Sequence, residues 1–328
     1  MTVLITLSNV PFLRADGAAL ENFCWKNKSG CVPSPPSMRF SKTFSLVAAL
    51  ALSAFTTALA APIPDSAKTN GFAIGVQAYT FHRKYSVWDS VEKAAEAGAK
   101  VIEFYPGQSY GRDGDRSAFD HNSATPEKIE ALKAHLLKNG VRAVNYGVVD
   151  IPKKEKMARK IFEFAKALDL YAITTESTES IDVVEKLAKE YDIRVGYHNH
   201  PRRRQAPNYK VWDANYILAL VKDRDPRIGA AADIGHWTTD NFKAVENLRI
   251  LKGRLVSVHA KDRKNFGNPV HNVPLGQGVI GVGAVLAELR EQNFQGNISI
   301  EHEADWHDNV GKVKEGIRFV KDWNAESK

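Results

Sequence analysis

From Gly71 to the end of the chain, short apolar runs alternate with amphipathic helical patterns, and that alternation restricts the chain to a small set of architectures. The runs at 71–79, 100–105, 141–146, 171–175, 193–197, 228–232, 255–258 and 297–300 read as strands. Helical patterns fall between them at 87–97, 126–138, 153–168, 181–190, 211–221, 241–251, 284–292 and 310–323. Local signals agree: Thr125 is placed to cap a helix that Pro126 begins, and Gly98 and Gly140 stand where two helices stop. Strands separated by single helices pair in parallel through right-handed crossovers. Eight such units in about 260 residues match a closed (β/α)8 TIM barrel better than an open doubly wound sheet. The Gly-x-Gly-x-x-Gly of dinucleotide binding does not follow the first strand, and no composition break divides the chain after Ala61. The expectation is one α/β barrel domain over 61–328.

The preceding residues do not belong to that pattern. Met38, Arg39 and Lys42 give a basic start, 44–55 is a short apolar run, and Ala58-Leu-Ala60 is a small-x-small ending. These are the marks of a secretory signal peptide over 38–60, and the run is too short for a membrane span. Residues 1–37, without periodicity, read as a disordered upstream extension of the gene model rather than a true extension with an anchor helix. The expected location is therefore periplasmic or secreted. Both cysteines, Cys24 and Cys31, precede the expected cleavage site near Ala60, so the domain is held by its core and not by disulfides. From Ala61 onward 40 basic against 36 acidic side chains leave a net charge of +4, too mild to call for nucleic acid or a membrane surface. Self-association, as a homo-oligomer, is compatible with the sequence and not specified by it.

A parallel barrel keeps its chemistry at the carboxyl ends of its strands. Here those ends carry Tyr79, Glu103 and Tyr105, Glu176, the triplet His198-Asn-His200, Asp233 with His236 and Trp237, His259 with Lys261, and Glu301 with His302 and Glu303. Any one of them alone is ordinary; a lone glutamate there is commonly a salt bridge, and a lone histidine a hydrogen-bonded structural residue. Asp233, His259 and Glu301, each ending an apolar strand at one rim, are not ordinary together. Oxygen and imidazole donors without thiolate suit Mn, Zn, Co, Mg or Fe(II). Arg202, Arg203 and Arg204 read as a solvated loop, and Trp212, Tyr216 and Leu220 as a core stripe.

Asp233-Ile-Gly-His236, Val258-His-Ala-Lys261-Asp262, Pro274-Leu-Gly-Gln-Gly278, Ile300-Glu301 and Tyr197-His-Asn-His200 together resemble the xylose isomerase-like superfamily. The likeness is to its sugar phosphate isomerase/epimerase branch and covers the chain from about Gly71 to the end. It implies a divalent metal (Mn, Zn, Co or Mg) held by Asp233, His259 and Glu301. The family's first glutamate, at the end of the fifth strand, is replaced here by His198; Glu176 is taken as the fourth ligand, with an imidazole of the triplet as the alternative. The resemblance also implies proton transfer next to a carbonyl through a metal-bound enediolate, with Glu301, Glu176, His198 or His200 carrying the proton. Lys261, His236 and Glu103 would then hydrogen-bond the sugar, and Trp237, Tyr79 and Tyr105 offer apolar faces. With export, a free sugar or keto-sugar is the expected substrate of an isomerase or epimerase. A lyase or hydratase of keto-sugars or keto-glycosides is the alternative, and a non-catalytic sugar-binding barrel the third.

Overall fold

A computed structural model describes residues 62–324, so the expected extension and signal peptide lie outside the described residues. Eight parallel strands close on themselves: β1 (Ala73–Gln77), β2 (Val101–Phe104), β3 (Arg142–Tyr146), β4 (Ala172–Thr175), β5 (Arg194–His198), β6 (Ile228–Asp233), β7 (Leu255–Ala260) and β8 (Asn297–Ile300). β1 pairs with both β2 and β8, and every other strand lies beside its sequence neighbour. The outer ring is α1 (Val87–Glu96), α2 (Pro126–Lys138), α3 (Glu155–Ala167), α4 (Ile181–Tyr191), α5 (Ala214–Val221), α6 (Ile234–Thr239), α7 (Ala244–Ile250), α8 (Val282–Glu291) and α9 (Val310–Asp322). No described helix is long and apolar enough to cross a membrane.

The reasons are local first. Ser86 and Asp89 form a reciprocal capping box at the start of α1, which turns Val87, Val91 and Ala94 onto the sheet. Thr125 accepts from the Lys128 amide at 3.3 Å, with Pro126 in the first turn of α2. The strands are apolar on both faces because helices cover one and the barrel interior the other; all six residues of β6 are buried. At the amino-terminal mouth, Ile63 and Ala67 join Ala73, Val101, Ala172 and Val256 in a separate buried cluster, so the segment before β1 covers that end. The carboxyl ends are left open.

The helix expected over 241–251 is present as α7, shortened to Ala244–Ile250, and a short helix that was not expected, α6, precedes it over Ile234–Thr239. Asn241 has φ 65°, a left-handed conformation that no helix continues through, and the residues before it wind at once into α6. Small antiparallel ladders at Gln108–Ser109 with Ala118–Phe119, and Asp262–Arg263 with Asn272–Val273, decorate the open end.

Close strand approach makes glycine obligatory at several positions, Gly75 among them. A Cβ on Gly75 would lie 1.8 Å from the Val101 carbonyl oxygen of the paired strand β2. Gly75→Ala is expected to cost about 1–3 kcal/mol, as overpacking does. That lowers the midpoint by roughly 2–4 °C per kcal/mol in a thermal melt. Gly311→Ala, in α9 with nothing within 4 Å of the added carbon, is the control and should leave the melt unchanged or raise it.

Candidate active site

The site is organised around Asp233. Its Oδ1 accepts the His236 amide at 2.8 Å and so caps α6, which fixes the carboxylate and leaves Oδ2 pointing elsewhere. Asn199 ties the end of β5 to the same residue, accepting from the Asp233 amide at 2.8 Å and donating to its carbonyl at 3.0 Å. Oδ2 is wholly buried and accepts no well-directed hydrogen bond. Nitrogens surround it: Lys261 Nζ at 3.1 Å, His236 Nε2 at 3.4 Å, His198 Nε2 at 3.7 Å and His259 Nδ1 at 3.9 Å.

The two central imidazoles face each other, His198 Nε2 to His259 Nδ1, at 3.2 Å. Each has its outer nitrogen on a carboxylate: His198 Nδ1 is 3.5 Å from Glu176 Oε1, and His259 Nε2 is 3.0 Å from Glu103 Oε1. Glu301 Oε2 lies 3.0 Å from His259 Nδ1. Donors around one divalent ion at about 2.1 Å stand roughly 3.0–3.5 Å apart, and carboxylates on the far nitrogens are the usual support for histidine ligands. The spacings from His259 Nδ1 to His198 Nε2 and to Glu301 fall in that range; Asp233 Oδ2, at 3.7 and 3.9 Å from the two inner nitrogens, would draw in by a few tenths of an ångström, and His198, Asp233 and His259 are grouped closely enough to hold an ion with Glu301 beside them.

Glu176, expected as the fourth ligand, lies on the outer side of His198. Its carboxylate takes the Tyr209 hydroxyl at 2.8 Å, Arg203 at 3.2 Å and the Nδ1 of His200. Burial pushes its pKa up, but hydrogen bonds from His198 and His200 outweigh that and hold it ionised well below the usual carboxylate range. Glu103, expected to meet substrate, is fully buried beneath His259, accepting from Ser299 at 2.7 Å and Asn297 at 3.3 Å. Trp237 is also buried, its indole donating to the Trp212 carbonyl at 3.1 Å, because α6 turns the ring into the wall. Lys261 is buried between carboxylates, 3.1 Å from both Asp233 and Glu301 and 2.7 Å from Glu303, with His236 Nε2 at 3.2 Å. Those carboxylates overcome burial and keep its ammonium charged, while burial drives His236 well below its ordinary value.

A cavity of about 300 Å³ opens over this cluster, lined by Tyr79, Tyr105, His198, His200, His259, Glu301 and Glu303 among others. Of the residues expected to touch substrate, Tyr79 and Tyr105 reach it. A groove of about 770 Å³ runs between the loops after β3 and β4, but of the cluster it meets only Glu176, so the chemistry belongs to the smaller cavity. Glu303, which the sequence places among the strand ends without a role, lines the cavity and holds Lys261 at 2.7 Å. The Asp262 carboxylate accepts the amides of Gly276 at 3.0 Å and Gly278 at 2.9 Å, so the Pro-Leu-Gly-Gln-Gly loop is held by it.

One pH dependence follows. Burial works against a charged His259, but Glu103 and Glu301 on either side overcome it and hold the imidazole protonated well above its ordinary range. A folded value above the unfolded one gives stability that is present below the unfolded pKa and is lost as pH rises through the folded one. An ion needs the same nitrogen unprotonated, so uptake releases a proton and strengthens with pH over that window. The stabilisation by Mn²⁺ or Zn²⁺ in a thermal melt should be larger at about pH 8 than at about pH 6; the reverse order would contradict the assignment.

The model of the xylose isomerase-like TIM barrel family matches residues 91–323. An uncharacterized protein of Methanocaldococcus jannaschii is 29% identical over 133 residues, 40% of this chain; the alignment spans 44% of that relative, under half its length. A putative uncharacterized protein of Parabacteroides distasonis superimposes with a TM-score of 0.62 at 26% identity, over 76% of this chain and 98% of that one. A D-tagatose 3-epimerase-like protein does so with 0.58 at 21%, over 75% and 96%, a likeness of fold.

Proposed function

The chain belongs to the xylose isomerase-like TIM barrel family, and on that premise we propose that it is a divalent-metal-dependent sugar isomerase or epimerase. The observation that carries the reading is the grouping of the buried Asp233 Oδ2 with the inner nitrogens of His198 and His259, with Glu301 beside them. In this reading the fourth donor is His198, the imidazole alternative to Glu176, and Glu176 supports it at Nδ1. A divalent ion there supplies Lewis-acid polarisation of a carbonyl oxygen and its neighbouring hydroxyl, which acidifies the carbon-bound proton between them.

The chain's own residues do the rest. Glu176 holds His200 through Nδ1, which leaves Nε2 as the nitrogen that takes up a proton in the cavity. Glu301 and Glu303 line the same cavity from β8, three strands round the barrel from β5, so an imidazole and a carboxylate are available to remove and return a proton. Lys261 fixes Glu301 and Glu303 relative to Asp233, and Tyr79 and Tyr105 give the apolar wall that a sugar ring needs. An exported protein acting on a free sugar or keto-sugar is part of the reading. The test is proton exchange: the Mn²⁺-loaded protein, incubated with free ketoses and 3-keto sugars in D₂O, should place deuterium on the carbon beside the carbonyl. Absence of exchange in every sugar tried would remove the isomerase reading.

A further inference from the structure

Beyond the cavity, aromatic side chains from separate loops form a rim. The Tyr79 ring stacks on His82, with centroids 4.1 Å apart and planes 8° apart, and meets Tyr105 edge-on at 5.3 Å and Trp306 edge-on at 6.2 Å. His82 lies against Trp306 at 4.4 Å, and the Arg83 guanidinium sits over the Trp306 ring at 5.1 Å. Tyr79 is 38% exposed, so this aromatic surface is not consumed by the core.

The loops that carry it are laced together. Lys84 Nζ donates to the His307 carbonyl at 2.7 Å, Asn309 Nδ2 to the Thr80 carbonyl at 2.6 Å, and the His302 amide to Thr80 Oγ1 at 3.1 Å. The exposed Tyr79 and the half-buried His82 and Trp306, on loops held by such bonds, need little further ordering when a ligand meets them.

We propose that Tyr79, His82 and Trp306 form a subsite for a second sugar ring, so that the sugar held in the cavity is one ring of a disaccharide or longer saccharide. The inference rests on the sugar reading above and specifies its substrate class. The cavity of about 300 Å³ is at the small end of ligand sites and holds one ring. Tyr79 lines the cavity and also belongs to the rim, so a chain leaving the first ring passes over it. The C–H faces of a pyranose are apolar and its edges carry hydroxyls. An aromatic surface flanked by the His82 and Arg83 donors meets both requirements.

Calorimetric titration of the full-length protein with Mn²⁺ present, using D-glucose, cellobiose and maltose, tests this. At least one disaccharide should bind about tenfold more tightly than glucose. The ratio should fall to about one in Trp306→Ala and be largely kept in Trp306→Phe, which separates a lost ring from a lost fold. Equal affinities in the wild type, or a ratio that survives Trp306→Ala, overturn the subsite and leave the sugar reading standing. Binding of none of the three overturns the subsite, and the sugar reading is then decided by the exchange test alone.

Discussion

Asp233→Ala is expected to abolish divalent-metal binding and turnover together. The residue supplies the buried Oδ2 toward which four nitrogens point, and the neighbouring Glu301 reaches only two of them, His259 and Lys261. The loss has a structural component too, because Oδ1 caps α6; a lost cap costs about 0.5–2 kcal/mol. Asp233→Asn separates the two, since its amide oxygen can keep the cap while the anionic donor is gone. Metal content by elemental analysis should be lost in both variants, and thermal stability should fall less in Asn than in Ala. Retained metal and full activity in Asp233→Asn would show that the ion, if any, sits elsewhere.

The second large effect is on the proton. His200→Ala should lower the exchange rate by about 10²–10⁴-fold, the span for loss of a positioned acid or base. Metal content should persist, because His200 is bonded to Glu176 and meets the ligand His198 only ring against ring, with centroids 4.7 Å apart. Glu176→Gln should fall between wild type and His200→Ala, since an amide can still hold the ring but no longer stabilises its charged form. Equal loss of metal in His200→Ala would move that residue from proton carrier to ligand.

These predictions rest on features that differ in how plainly the sequence declared them. The eight strands were legible because each is buried on both faces and so reads as a continuous apolar run, and their order followed from the single helices between them. The rim location of Asp233, His259 and Glu301 came with the strand ends. Depth did not. Glu103 lies within its apolar run, between Ile102 and Phe104, and that flanking was the sign of a buried carboxylate needing partners, which His259, Ser299 and Asn297 provide. Glu176 could not be placed without the path of the loop after β5, which brings His200, Arg203 and Tyr209 against it. Trp237 was misjudged in depth for a similar reason: α6 begins directly at Asp233 and carries the indole into the wall.

The central claim is that His198, with Asp233, His259 and Glu301, holds one ion, and that Glu176 stands behind His198. Metal analysis after incubation with Mn²⁺ or Zn²⁺ and removal of the excess tests it directly, on wild type beside His198→Ala and Glu176→Ala. The prediction is about one equivalent per chain in the wild type, its loss in His198→Ala, and an affinity weakened about 10–100-fold in Glu176→Ala. No metal in the wild type, or full loading of His198→Ala, would contradict it.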